Sequence, residues 1–162
     1  MSDRVDVCLT FEAACMAAID MENQIFQNYV RALRAVKDQA ARDILLEAAL
    51  AKLAHKYKLE MAALEGKLDE PMSPGPVSIM NLALHCCDQH QIDADADNRK
   101  ALAFAIRMSQ DALKFYRDMT KQCSGSPMVN LFTVLGDEQT RYLQRLEVPL
   151  KNIFCPKVKM AA

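Results

Sequence analysis

His85-Cys86-Cys87-x-x-His90 places four soft or borderline donors within six residues, a composition suited to zinc binding or thiol redox chemistry. Zinc sites usually space paired ligands two to four residues apart and need two such pairs, so adjacent cysteines grip one ion poorly. The run therefore reads first as an apolar helix end and second as a thiol or metal site. Asp93-x-Asp95-x-Asp97 opens like a calcium loop, but Asn98 replaces the turn glycine and Phe104 the bidentate glutamate. Acids that cap a following helix account for it better. The sequence has no phosphate-cradling glycine loop, no GxSxG elbow and no HExxH. Ten methionines at helical spacing read as adaptable core.

Whatever chemistry exists must be positioned by helices. Only four glycines and six prolines interrupt a chain rich in alanine, leucine, methionine and lysine. Twenty basic against 21 acidic residues give a formal charge of −1, which does not indicate a nucleic-acid surface. No apolar run is long enough to cross a bilayer. Acidic Asp3, Asp6 and Glu12 contradict a signal peptide at the N-terminus. Six cysteines without a CxxC pair, in a chain long enough to stabilise itself by burial, suggest reduced thiols and a cytoplasmic setting.

Apolar periodicity predicts four long helices, at about 7–37, 39–65, 98–122 and 127–147, within a single domain covering 1–162. Gly66 marks a C-terminal stop, Asp97 an N-cap, and Pro127 a first helical position. Helices one and two are close enough in sequence to form an antiparallel hairpin, as are three and four. Residues 66–97 then form a crossover along the bundle, with a short helix expected over Val77–Cys87. The tail, 148–162, reads as an extended strap after Pro149.

A shift of 87 residues lays Ala18-Ile19-x-Met21 on Ala105-Ile106-x-Met108, Tyr29 on Tyr116, and Leu59-Glu60 on Leu146-Glu147. One ungapped offset for both helix pairs is what two fused helical hairpins leave behind.

AIDMENQIFQNY and AIRMSQDALKFY resemble the first and third helices of rubrerythrin-like members of the ferritin-like superfamily; HKYKLE and QTRYLQRLE resemble the ends of the second and fourth. The resemblance covers about residues 10 to 147 and implies an all-α ferritin-like four-helix bundle. It also implies a di-iron site, each half giving one Glu from its first helix and a Glu-x-x-His pair from its second. Residues three apart on a helix share a side and can grip one metal. Carried onto this sequence, the pattern mostly fails. Glu22 and His55 match, but Lys52, Ser109, Gln139 and Tyr142 stand where Glu, Glu, Glu and His belong. Glu138 and Asp111 point away from the ligand positions by roughly 100° and 200° around their helices, and neither is expected to substitute.

Charge then chooses between readings. If Glu22 meets Lys52, the ammonium takes the electrostatic role of the ion, and a metal there would face an uncompensated cation. Ser109, Gln139 and Tyr142 are expected to hydrogen-bond into the remaining space, and Tyr29 and Tyr116 to pack with their hydroxyls satisfied. Lys52 has the option of snorkelling to the surface instead. The preferred reading is a bundle without di-iron chemistry or cofactor, acting by binding or assembly rather than as an enzyme. A homodimer, or pairing with a related ferritin-like subunit, is implied by the family. The alternatives are a non-haem iron or manganese oxidoreductase using Glu22, His55 and Tyr142, and a thiol redox protein using Cys86 and Cys87.

Overall fold

Helix boundaries in the protein follow from side chains that satisfy the backbone groups a helix leaves open. A computed structural model describes residues 6–68 and 91–154, in which a 3₁₀ turn (Asp6–Cys8) precedes α1 (Phe11–Ala35), α2 (Gln39–Glu65), α3 (Asn98–Gln122) and α4 (Met128–Phe154). The first helix begins later than its apolar pattern suggests because the Thr10 hydroxyl caps it, accepting from the Ala13 N–H at 3.1 Å. Val36 leaves the helix in an extended conformation. Arg42 then reaches back from α2 to the carbonyls of Leu33 and Val36, acceptors that the end of α1 leaves exposed. Asp38 caps α2 through the Ala41 N–H at 2.9 Å, and Gly66, at φ 72°, closes it in the left-handed conformation that glycine adopts without strain. Asp97 caps α3 through the Lys100 N–H at 3.0 Å. Ser126 accepts from the Met128 N–H at 3.2 Å, so α4 opens one residue after Pro127.

The fourth helix does not stop at Pro149; it continues to Phe154. Proline removes one ladder hydrogen bond and strains one turn, at a cost of about 3 kcal/mol, which the turns on either side can absorb. The strap expected over 148–162 is helix as far as 154, and the remainder lies outside the described residues. So do the short helix expected over Val77–Cys87 and the whole of His85-Cys86-Cys87-x-x-His90.

α1 and α2 form one antiparallel hairpin and α3 and α4 a second. Tyr29 on α1 donates to the Ala105 carbonyl and Tyr116 on α3 to Glu22, which sets those two helices antiparallel as well. The Lys37 N–H donates to the Ala94 carbonyl at 3.2 Å, fixing the approach to α3 beside the α1–α2 turn. α2 ends at the other end of the bundle, and the crossover expected over 66–97 lies largely outside the described residues. Small residues at the contacts (Ala14, Ala18, Ala101, Ala105, Ala112) let the helices approach, while Leu45, Leu59, Phe132 and Leu135 fill the layers between them. No helix among the described residues is long and apolar enough to cross a membrane.

One expectation about the cysteines is overturned. Cys8 and Cys123 form a disulfide, their Cα atoms 5.2 Å apart, which ties the 3₁₀ turn to the α3–α4 connection. The two residues are 115 positions apart, and only the antiparallel packing of α1 and α3 brings them together. The thiol argument for a cytoplasmic setting therefore loses its ground. Cys15 remains a thiol, fully buried, and burial pushes it up to about 11.

Candidate functional site

Midway along the bundle, α1 and α2 turn three ionisable side chains into an otherwise apolar core. Glu22 is 0% exposed and Lys52 2%. Lys52 and His55 stand three residues apart on α2, so both face α1. The Lys52 ammonium lies 3.1 Å from Glu22 Oε2, pointing inward rather than snorkelling. Glu22 Oε1 accepts from two donors, the Tyr116 hydroxyl at 2.6 Å and His55 Nδ1 at 2.8 Å. Lys52 Nζ also donates to Gln139 Oε1 at 2.8 Å, linking α2 to α4 between residues 87 positions apart.

His55 connects this interior to the surface. Its Nε2 lies 3.2 Å from Glu138 Oε2, and Lys58 approaches the other oxygen of Glu138 at 2.6 Å. Glu138 was not expected to substitute for a missing metal ligand. Its helix position does face away from the core, but its side chain is long enough to meet His55 at the rim. Asp111 stays apart, paired with Arg107 at 3.5 Å.

The protonation states follow from these contacts. Burial alone raises the Glu22 carboxyl, but Lys52, His55 and the Tyr116 hydroxyl overcome that and hold it at about 2. Burial pulls the Lys52 ammonium down, with Glu22 acting against it. Burial also lowers His55, yet the hydrogen bonds its ring donates to Glu138 and Glu22 outweigh it and leave the imidazole above its ordinary value. A ring with a carboxylate on each nitrogen donates from both, as an imidazolium does. The Tyr116 hydroxyl is pushed well above its ordinary value by burial and then by Glu22, so it keeps its proton and donates it to the carboxylate.

Of the six positions singled out from the sequence, Glu22, Lys52, His55 and Gln139 converge. Two do not join them. Ser109 is fully buried and its hydroxyl finds no partner. Tyr142 is half-buried beside Arg145, whose guanidinium lies 5.7 Å from the ring centroid. Tyr116 replaces them as the contribution of the second hairpin. Its place was visible, since it lies two helical turns beyond Ser109 on the same face, but the sequence does not say that its hydroxyl reaches across to α1.

The donor set does not suit a pair of iron ions. Lys52 occupies one oxygen of Glu22, Tyr116 and His55 occupy the other, and each nitrogen of His55 is committed to a carboxylate. Among the described residues, no group of three or more His, Cys, Asp or Glu is arranged to hold a metal. No family model, curated protein or solved structure shows significant similarity to this chain.

Proposed function

We propose that the protein is a rubrerythrin-like member of the ferritin-like superfamily in which a buried ion pair has replaced di-iron chemistry, and that it works by binding and assembly. The observation that carries this reading is the Lys52 ammonium 3.1 Å from Glu22 inside the core. A divalent ion at the same place would have to displace or deprotonate that ammonium, against the one carboxylate it has for compensation. Metal analysis of protein purified without chelator is the test, and the expected content is far below one ion per chain. Near-stoichiometric iron or manganese overturns the reading. Lys52→Glu should raise iron uptake by returning a carboxylate to the site.

Assembly is supported by the outer face of α2. Leu46, Leu50, Leu53, Tyr57, Met61 and Leu64 follow one another at three- and four-residue steps, and all are exposed. They are six of the eight exposed large apolar side chains among the described residues, so the apolar surface is concentrated on one helix face. That stripe presents on the order of 600 Å² of apolar area, the upper end for a monomer's largest patch. A second copy of this chain is its occupant: two such faces hide about 1,200 Å², above the ~1,000 Å² that a specific interface needs. Light scattering should return the mass of a dimer, and Leu53→Glu with Tyr57→Glu should return a monomer. A monomeric parent protein would remove the assembly part of the proposal.

A further inference from the structure

A cleft of about 400 Å³ opens between α2 and α4 directly outside the buried ion pair. Its size lies within the ~300–1,000 Å³ range of small-molecule sites. We propose that it binds a small organic anion, with a carboxylate or phosphate head taken by Gln139 and Arg141. This adds a ligand class to the binding role proposed above.

Charge is the first ground. Lys52, Lys58, Arg141 and Arg145 line the cleft together with His55, against one acid, Glu138. That acid is already held on both oxygens, by His55 and Lys58. Arg141 and Arg145 are paired with no carboxylate among the described residues. The cleft therefore has positive charge in excess after its internal pairs are made, and a cationic ligand would be repelled.

Unmet donors are the second ground. Gln139 is 3% exposed, and Lys52 fixes its amide by taking Oε1, which leaves Nε2 as the free end. That Nε2 has no acceptor, and neither does the buried Nε of Arg141. Buried N–H groups in folded proteins are almost always satisfied, so two such orphans on residues that line one cleft point to an acceptor that arrives with a ligand. A water molecule could serve one donor but brings no charge to balance the arginines. An oxyanion serves both needs, and guanidinium is the side chain best matched to it. The remaining wall, Ala51, Ala54 and the Tyr142 ring, gives a short apolar body something to lie against.

The test is a titration of the isotope-labelled full chain at constant ionic strength, followed by the side-chain N–H resonances of Gln139 and Arg141. Inorganic phosphate supplies the head alone, and benzoate a carboxylate with an apolar body. Saturable shifts at both groups are expected, and the anion that saturates first identifies the head. Arg141→Met should weaken binding about tenfold, the loss of one charge-assisted contact. Arg145→Met should weaken it less, and Lys67→Met, beyond the end of α2, not at all. Shifts that stay linear with both anions up to about 10 mM would overturn the proposal. Unchanged affinity in a folded Arg141→Met variant would do the same. Metal content measured on the same sample keeps a failure here distinct from a failure of the metal-free reading.

Discussion

The two helical hairpins are close copies in length and opposite in chemistry. Adding 87 to either bound of α1 gives the bound of α3, and α2 and α4 both run for 27 residues. At corresponding positions the first hairpin carries Glu22, Lys52 and His55, and the second carries Ser109, Gln139 and Tyr142. The fully buried charges of the network, Glu22 and Lys52, thus come from one half, and the other half supplies neutral hydrogen-bonding groups to the interior and Glu138 at the rim. The paired tyrosines register the difference. Tyr116 finds the Glu22 carboxylate at 2.6 Å, whereas Tyr29, facing a half with serine at the matching place, settles for the Ala105 carbonyl at 3.3 Å. A repeated scaffold therefore does not oblige a repeated site. The apolar repeat supports the bundle on both sides, and the polar interior is organised around a single carboxylate.

Removing that carboxylate should break the arrangement most severely. Glu22→Leu strands the Lys52 ammonium in the core and releases Tyr116 and one nitrogen of His55. Loss of one partner of a buried ion pair costs about 3–5 kcal/mol. Chemical denaturation of the variant should show a loss of that size. A loss under about 1 kcal/mol would mean that Lys52 escapes to water with little penalty.

Acid and mild alkali probe the same network without mutation. The Glu22 carboxyl is held at about 2 against an ordinary 4.5, so its contribution is complete above 4.5 and disappears as pH falls towards 2. From that difference the contribution is on the order of 3 kcal/mol. His55 has the opposite sign. Its raised value means that its contribution is complete below its ordinary 6.5 and is lost as pH rises through the higher folded value. Thermal melts should therefore be most stable between about 4.5 and 6.5, falling on both sides. His55→Gln should flatten the alkaline side and also shrink the acid side, because the imidazole is one of the groups that hold the Glu22 carboxyl down. An alkaline side unchanged by that substitution would assign it to another group.

The tyrosines give a smaller and more direct contrast. Tyr116→Phe removes a hydrogen bond to a charged acceptor, worth about 1.5–3 kcal/mol, whereas Tyr29→Phe removes a longer bond to a neutral carbonyl, worth about 0.5–1.5 kcal/mol. Equal losses in the two variants would show that the carboxylate confers no advantage on the second hairpin's tyrosine.

Much of this was legible in the sequence, for reasons that can be named. The bounds of α2 and α3 follow from Gly66 and Asp97, because caps act through local backbone geometry. The inward placement of Glu22, Lys52 and His55 was an expectation of the rubrerythrin-like resemblance and not of apolar period, since the apolar stripe of α2 from Leu46 to Leu64 faces outward. What escaped depends on distance in sequence or on reach. Cys8 and Cys123 meet through packing that no local pattern encodes. Glu138 occupies a helix position that faces away, and only the length of its side chain returns it to His55. Pro149 is a local stop signal that the rest of α4 overrides.

Ser109 provides the most delicate discrimination between the halves. It stands at the position that matches Glu22, is fully buried, and has a hydroxyl without a partner. If the second hairpin had its own polar centre, this residue would belong to it, and its removal would cost about 1 kcal/mol, as for an ordinary hydrogen bond. The asymmetry implies otherwise. Ser109→Ala deletes an unsatisfied oxygen at nearly constant volume, so stability should hold within about 0.5 kcal/mol or rise slightly. Equilibrium unfolding in urea, with the parent and variant sharing one slope, resolves a difference of this size. A clear destabilisation would show that the hydroxyl has an acceptor in solution, and the second half would then hold a polar centre of its own.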